Sequence, residues 1–159
     1  MTARRDGGRP PVTPPGTACP VPFSADALTV APTLLGALLS CTTEEGTVTV
    51  RLTEVEAYLG TGADSGSHAH RGPTPRTRSM FGPPGRLYVY RSYGIHACVN
   101  LVCSPEGQAS AVLLRAGEVV AGLALARARR VAARFDRDLA RGPGRLLSLI
   151  HISEPTRPY

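Results

Sequence analysis

Two glutamates and a tyrosine alternate along one segment, at Glu54, Glu56 and Tyr58, and they directly follow an alternating apolar run. A carboxylate that emerges beside apolar side chains can act as a general base, because its surroundings tune its affinity for a proton. The same glutamates could instead form a solvated strand end or pair with an arginine. This segment alone leaves both interpretations open.

A basic residue near the end of a second apolar segment is the natural partner of these carboxylates. The run from Ser110 to Ala116 predicts a buried central strand with one guanidinium, that of Arg115, at its end. An unpaired buried charge is very costly, so this arginine needs a carboxylate or a ligand. We expect Glu54 or Glu56 to supply the carboxylate.

An aromatic residue is expected at the tip of a β-hairpin. Two alternating runs, LYVY and ACVNLV, flank the break SYGI within residues 86–103, which predicts a hairpin with a positive φ at Gly94. Tyr93 then lies at the tip, where exposure is costly unless something covers the ring; insertion between nucleic-acid base steps is one such use. The alternative is an ordinary surface or core aromatic, as Tyr88 and Tyr90 can be on one strand face.

The connection from residue 60 to 85 is rich in Gly, Ser, Pro and Arg. Loops of this length within a compact domain are usually functional or disordered. Three arginines interleaved with turn residues suit contacts with phosphates along a nucleic-acid backbone: Arg71, Arg76 and Arg78. A solvated basic loop is the alternative. His68, in the same segment, is predicted to be a neutral hydrogen-bonding group or a phosphate donor.

The charge of the chain favours a polyanionic partner such as nucleic acid, since the net charge is +6 and the isoelectric point about 9.7. All 18 basic residues are arginine. Because the chain has no lysine, no side chain can form a Schiff base, and an imine mechanism would need the terminal amine.

The length of 159 residues suits one domain with a sizeable core. No signal peptide and no apolar run of membrane-spanning length is present, so we expect a cytoplasmic protein with reduced thiols. The spacing of His68 and His70 relative to the cysteines matches no standard metal site, so no metal is expected. The cysteines also lack the close pairs of a zinc site: Cys19, Cys41, Cys98 and Cys103.

Periodicity predicts the elements that position these residues. Pro32 should open a short helix over residues 33–40, because its leucines recur at helical spacing. From Thr47 the pattern alternates, which predicts a strand with Val48, Val50 and Leu52 on one face. If the alternation continues, the two glutamates and the tyrosine emerge from that same apolar face.

The second half of the chain is predicted to contain two more helices. Residues 118–134 form an alanine-rich segment with arginines towards its C-terminal end, where positive charge suits the helix dipole. The turn at Gly142, Pro143 and Gly144 could begin a further helix, whose free amide groups favour an anion. Residues 1–22, rich in Pro, Gly and Arg, are expected to be a flexible basic lead-in.

Several long motifs in order resemble the alkyladenine (3-methyladenine) DNA glycosylase family. They are EVEAYLG from Glu54, SHAHRGPTPRTRSMFGPPG from Ser67, the hairpin LYVYRSYGIHACVN, the strand AVLLRA and the closing RGPGRL. The resemblance covers about residues 28–146. It implies an α+β fold, a single mixed domain built on a curved antiparallel sheet from which a β-hairpin protrudes.

The resemblance also implies roles for particular residues. Glu56 corresponds to the general base that activates water, Arg115 to its positioning partner, and Tyr93 to the side chain that fills the gap left by a flipped nucleotide. Three side chains fall where the family stacks around the extruded base, namely Tyr58, His68 and Tyr90. Asn100 falls where the family guards its pocket against the guanine amino group.

The activity implied is that of a monofunctional glycosylase without metal or cofactor. It would flip an alkylated or deaminated purine, such as 3-methyladenine or hypoxanthine, out of double-stranded DNA and leave an abasic site for base excision repair. We expect a bacterial, nucleoid-associated monomer that contacts no membrane. The alternatives are a non-enzymatic binder of distorted DNA or structured RNA and a nucleoside hydrolase.

The C-terminal segment departs from the family pattern. The chain ends in SLIHISEPTRPY, which resembles a translated sequencing-adapter read-through. We therefore expect a flexible lead-in over 1–22, an incomplete glycosylase-like domain over 23–146, and a non-biological tail over 147–159. Because a sheet without its C-terminal strands has unpaired edges and an uncovered apolar face, we expect this chain to be poorly soluble and to have little activity.

Overall fold

The computed structural model describes residues 21–94 and 96–150. Most of the predicted lead-in, residues 1–20 with Cys19, lies outside the described residues. The same is true of residues 151–159 of the predicted tail and of Ile95 in the hairpin turn.

The described residues form five strands and three α-helices. The strands are β1 (Leu38–Thr43), β2 (Gly46–Tyr58), β3 (Leu87–Ser92), β4 (His96–Cys103) and β5 (Ser110–Ala121); the helices are α1 (Ala27–Leu34), α2 (Leu123–Arg129) and α3 (Pro143–Ile150). The strands form one curled sheet in the order β1-β2-β5-β4-β3, and every neighbouring pair is antiparallel. This confirms the predicted α+β fold with a curved antiparallel sheet.

The first helix lies earlier than predicted, so the helix over residues 33–40 is wrong. Helix α1 begins at Ala27, where the Asp26 carboxylate caps it by accepting a hydrogen bond from the Thr29 amide at 2.9 Å. Pro32 lies inside the helix rather than at its start. Leu38 and the residues after it form β1, because pairing with β2 overrides the helical spacing of the leucines.

The predicted helix over residues 118–134 is also wrong at both ends, because α2 spans only Leu123–Arg129. Strand β5 continues to Ala121, and Val119 pairs with Val50 of β2. Gly122 then adopts a φ of 75°, and a Cβ on it would lie 2.1 Å from the carbonyl oxygen of Thr47. Only a residue without a side chain fits this turn, so the chain leaves the strand here and α2 begins at Leu123.

Strand β2 confirms the predicted alternation only up to Leu52. Val48, Val50 and Leu52 are buried in the main core, as expected. The register against β5 is then irregular between Leu52 and Val55, and from Val55 onwards the odd-numbered residues face that core instead. The expectation that Glu54, Glu56 and Tyr58 emerge from the apolar face is therefore wrong, because the irregularity turns them to the other face of the sheet.

Two apolar clusters lie on the two faces of the sheet. The larger one packs one face against the three helices and includes Val50, Val99, Leu114 and Leu146. The smaller one lies on the opposite face under the long loop, and its buried members are Ala69, Met80, Tyr88, Val102, Ala109 and Ala111. The loop of residues 60–85 thus covers part of the face that carries the glutamates.

Helix α3 crosses the predicted domain boundary between residues 146 and 147. It begins at Pro143, as the turn at residues 142–144 predicted, and runs to Ile150. Leu147, Leu149 and Ile150 are buried in the main core together with Leu146. The division of the chain at residue 146 stays a prediction.

Candidate active site

The side chains predicted to do chemistry meet on the sheet face opposite the helices. The pairing registers place Glu56 of β2 opposite Leu113 of β5, Leu113 next to Asn100 of β4, and Asn100 opposite Tyr88 of β3. Because cross-strand partners share a face, this row runs across four strands. The sheet thus gathers residues that are far apart in the sequence.

Arg115 binds both glutamates, where the sequence left the choice between them open. Its Nε donates to Glu54 Oε1 at 2.6 Å, and its Nη1 donates to Glu56 Oε2 at 2.5 Å. These two hydrogen bonds raise the pKa of the guanidinium above its usual value. Arg115 therefore stays charged and fixes the two carboxylates side by side.

Glu56 lies between this arginine and the wall of a pocket. Burial, and then the negative charge of Glu56, raise the pKa of the Tyr58 hydroxyl above its ordinary value. The Glu56 side chain is 42% exposed and that of Glu54 is 56% exposed. Glu56 is thus the more enclosed of the two carboxylates and the one beside the pocket.

The pocket beside Glu56 opens between the sheet and the long loop. It is a small cleft open to solvent on one side, and its lining residues are Tyr58, Gly66, Ser67, His68, Met80, Tyr90 and Asn100. All four side chains predicted around a base, Tyr58, His68, Tyr90 and Asn100, therefore line one pocket.

Aromatic rings form one wall of this pocket. Tyr90 lines the pocket and stacks on the buried Tyr88, which shares its strand face as predicted, with centroids 5.4 Å apart. The His68 ring meets the Tyr90 ring edge-on at 4.5 Å. Burial, above all, raises the pKa of Tyr90, so its hydroxyl stays protonated. The wall thus offers flat, uncharged aromatic surface to a ligand.

His68 is held as a neutral imidazole. Burial and then the nearby charge of Arg76 lower its pKa below the ordinary value of 6.5. Its Nδ1 lies 3.2 Å from the Tyr88 hydroxyl. If that hydroxyl donates, the proton of the neutral ring resides on Nε2, which is then a hydrogen-bond donor for a ligand.

Asn100 has an acceptor atom without a protein partner. The residue is 5% exposed, and its Oδ1 is buried with no hydrogen bond from the part of the chain that the structure describes. Because an unsatisfied buried polar atom is costly, such an atom in a ligand pocket points to contact with a ligand or water.

The turn before His68 is anchored by Asp64, which sequence reasoning missed. The two oxygens of its carboxylate accept hydrogen bonds from the backbone amides of Leu59 at 3.1 Å and Gly66 at 2.9 Å. One carboxylate therefore ties the end of β2, next to Tyr58, to the loop that carries His68. The sequence signal was the turn-forming run DSG, which gave no hint of its partner in β2.

Replacing Asp64 by alanine is expected to lower the free energy of unfolding by about 1–2 kcal/mol, because two backbone amides lose a charged acceptor. Urea denaturation followed by tyrosine fluorescence measures this loss. Asp64→Asn keeps one acceptor oxygen and should retain part of the stability. Equal midpoints for Asp64→Ala and the unsubstituted chain would contradict this account of the turn.

Tyr93 occupies the hairpin tip as predicted. Its side chain is 95% exposed, and Gly94 has the expected positive φ, 69°. Tyr93 itself also has a positive φ, 49°, which is uncommon for a residue with a large side chain and which the sequence did not indicate. Strained backbone of this kind concentrates at functional sites.

The predicted phosphate-binding arginines differ in their surroundings. Arg71, Arg76 and Arg78 are all exposed on the long loop. Burial and then the charge of Arg76 lower the pKa of His68. Burial raises the pKa of Tyr88, and Arg76 only partly opposes that rise. Arg76 therefore lies near the pocket, whereas no such link to Arg71 or Arg78 occurs among the described residues.

A second groove, which the sequence did not reveal as one unit, lies at the base of the hairpin. Tyr93 and His96 line it together with the start of α3 and the basic residues Arg141 and Arg145. The sequence signalled only the turn at Gly142–Gly144; its proximity to the hairpin is a result of tertiary packing.

Metal-binding clusters and membrane-spanning helices are both absent from residues 21–94 and 96–150. There, no group of three His, Cys, Asp or Glu side chains is arranged to bind a metal ion, and no helix is long and apolar enough to cross a bilayer.

Three cysteines of the described residues are free thiols, namely Cys41, Cys98 and Cys103. Burial raises the pKa of Cys103 to about 11, so this thiol is a weak nucleophile.

The fold and the site combine a pocket lined by aromatic side chains, a glutamate held by an arginine, and a protruding hairpin. The model of the family described as methylpurine-DNA glycosylase (MPG) matches residues 22–157, and the chain belongs to that family.

Curated relatives agree with the family. The chain is 60% identical over 129 residues to a protein of Leifsonia xyli subsp. xyli (79% of this chain, 61% of the relative) and 56% identical over 130 residues to one of Streptomyces avermitilis (82% and 61%). A relative from Corynebacterium jeikeium is 60% identical over 126 residues (79% and 57%). All three carry the name "Putative 3-methyladenine DNA glycosylase". The chain thus spans about six tenths of the length of these relatives.

Proposed function

We propose that this chain carries the active site of a DNA repair glycosylase. The enzyme flips an alkylated or deaminated purine out of duplex DNA, hydrolyses its N-glycosidic bond with a water activated by Glu56, and leaves an abasic site. The observation that carries the proposal is the position of Glu56, which is held by Arg115 beside Tyr58, one of the aromatic residues that line the pocket. Family membership and the names of the relatives support it.

Glu56 performs the chemical step in this proposal. Departure of the base leaves developing positive charge on the sugar, and a nearby carboxylate stabilises that charge while it removes a proton from the attacking water. Arg115 does not touch the proton. Its hydrogen bond orients the carboxylate so that the free lone pairs of Glu56 face the water.

The pocket selects the flipped base by its shape and charge. Tyr58 and Tyr90 offer ring faces that attract an electron-poor or cationic alkylpurine by stacking and cation–π interaction. Neutral His68 adds no repelling charge to the pocket. Asn100 lines the pocket where, in this proposal, the guanine amino group would lie, and the lack of space for that group rejects undamaged guanine.

Tyr93 holds the flipped state in this proposal. Extruding a nucleotide costs a few kcal/mol of stacking and pairing, least for a damaged or mispaired base. A ring inserted from the exposed hairpin tip replaces part of the lost stacking and delays the return of the base. The proposal includes action as a monomer.

The DNA backbone is held by arginines in this proposal. Arg71 and Arg78 contact phosphates along the loop, and Arg76 does so at the pocket. The groove beside the hairpin adds Arg141 and Arg145 at the start of α3.

The enzyme is proposed to be monofunctional, without metal or cofactor. This chain has no lysine, so none of its side chains can form the Schiff base that strand cleavage would use. A nucleoid association follows from binding to DNA.

Replacing Arg71 and Arg78 together by glutamine should weaken binding to undamaged duplex and reduce its dependence on salt. The slope of log K against log salt concentration should fall in magnitude by about 2, because each phosphate contact releases about 0.9 counterion. Fluorescence anisotropy at several salt concentrations from about 50 to about 200 mM measures this slope.

The matched control for this salt titration is the pair Arg134→Gln and Arg137→Gln, which removes the same charge from exposed positions after α2. Its slope should remain near that of the unsubstituted protein. Equal slopes for both double variants would show that only net charge matters and would remove Arg71 and Arg78 from the interface.

Incubation with a duplex that carries one hypoxanthine or one ethenoadenine, followed by alkali, tests the proposed activity. Because the chain spans about six tenths of its relatives, the assay uses the extended chain, meaning this sequence joined after Leu146 to the C-terminal region of the Leifsonia xyli relative. A glycosylase yields a nick at the lesion. Binding without a nick would favour a non-enzymatic DNA binder, and base release from free nucleosides only would favour a nucleoside hydrolase.

A further inference from the structure

We propose that Gly66 is a specificity-determining residue, whose missing side chain leaves room beside Tyr58 for a purine that carries an added ring. The inference rests on the proposed function, since it concerns which base the same pocket accepts. It assigns to a loop glycine a role that neither the motifs nor the predicted site residues indicated.

Space, rather than backbone conformation, is the reason for a glycine at this position. Unlike Gly62 and Gly72 in the same loop, Gly66 does not have a positive φ, so its backbone is open to any residue. Gly66 lines the pocket. A Cβ built on it would lie 3.6 Å from Cε1 of Tyr58 and 3.3 Å from Oδ1 of Asp64.

A methyl group at this position would therefore stand against the edge of a pocket ring. The Tyr58 contact is ordinary van der Waals distance, so the methyl fits without moving the ring. The Asp64 carboxylate must shift by a few tenths of an ångström, and its Oδ1 also accepts the hydrogen bond of the Gly66 amide. The melting temperature of Gly66→Ala therefore reports whether this turn is kept. What the variant loses is free volume along the ring of Tyr58.

The loss of free volume should affect large bases more than small ones. A single added or missing methylene in an apolar pocket changes discrimination between substrates by about 10- to 200-fold. Ethenoadenine has a second five-membered ring fused to the edge of adenine, whereas hypoxanthine has a single oxygen there. Both keep the same glycosidic bond, so a steric change should separate them without altering the chemistry.

The test compares Gly66→Ala with the unsubstituted extended chain on two duplexes that differ only in the lesion. The expected result is a fall of about tenfold or more in kcat/KM for ethenoadenine, while kcat/KM for hypoxanthine stays within about threefold. Gly66→Ser, one atom larger, should lower the ethenoadenine value at least as far. Ser65→Ala, at the exposed neighbouring residue outside the pocket lining, is the matched control and should alter neither value.

Equal losses of kcat/KM on both lesions would overturn the inference, because they would indicate a loosened loop rather than a smaller pocket. No loss on either lesion would also overturn it, because Gly66 would then not limit the space for the base. A drop in melting temperature with both activities lost counts against it in the same way. Failure of the proposed function is distinct from these outcomes. In that case the unsubstituted extended chain produces no abasic sites in either duplex.

Discussion

Replacement of Glu56 by glutamine is expected to abolish base release and to leave binding to damaged DNA intact. The amide keeps the shape of the side chain, but it cannot take the proton of the attacking water and brings no negative charge to the sugar. The rate of abasic-site formation should fall by about 100-fold or more, the scale of losing a general base. Single-turnover kinetics on a hypoxanthine duplex, with alkaline cleavage as the readout, measure this rate in the extended chain.

Glu54→Gln is the matched control, because Arg115 holds both carboxylates in the same way and the chemical change is identical. The effect of Glu54→Gln on the rate should be much smaller, since the Glu54 side chain is more exposed than that of Glu56. Glu56 is also the carboxylate whose charge raises the pKa of Tyr58 in the pocket. Cleavage by Glu56→Gln within a few-fold of the unsubstituted rate would refute the assignment. If Glu54→Gln were the inactive variant, the roles of the two glutamates would be reversed.

Replacement of Tyr93 by alanine is expected to weaken lesion capture by about 1–3 kcal/mol, the scale of losing one stacking contact with a base. The chemical step itself should suffer less, because Tyr93 does not line the pocket beside Glu56. The side chain is 95% exposed, so the substitution removes little packing and should not unfold the hairpin. Stopped-flow fluorescence of ethenoadenine reports flipping directly.

Tyr93→Leu is a useful companion variant, because it keeps an apolar side chain at the tip but has no aromatic ring. An intermediate flipping equilibrium would separate the filling of space from aromatic stacking. An unchanged flipping equilibrium in Tyr93→Ala would instead show that Tyr93 is an ordinary exposed aromatic residue without a role in flipping. The positive φ of this residue would then need another explanation.

Local chemistry in the sequence was enough to predict the hairpin and its tip. The alternation on both sides of Tyr93 and the glycine after it determine the turn, because a hairpin loop needs a positive φ that glycine adopts without strain. The lack of lysine likewise constrains the chemistry at once, since composition does not depend on folding. The pairing of Arg115 with a glutamate was also expected, although its side chain is 37% exposed rather than fully buried.

The predicted helices were less accurate, because helical spacing of apolar residues is only one of the influences on local structure. Leu38 fits a helical stripe, yet it lies in β1, since pairing with β2 satisfies the backbone there. Val119 was assigned to a helix for the same reason, but it pairs with Val50 and belongs to β5. The strand ends only at the turn that Gly122 makes possible. Contacts distant in sequence decided both cases.

The sequence by itself determined which side chains are available for chemistry: a carboxylate pair, its arginine, an exposed ring and a set of aromatic residues. Only the tertiary structure decided which face of the sheet they share. The irregular pairing after Leu52 inverts the alternation in β2, and it takes Glu56 out of the main core and places it beside Tyr58 at the pocket. The physical reason is that side chains alternate with a period of two, so one irregularity in the pairing of two strands moves every later residue to the other face.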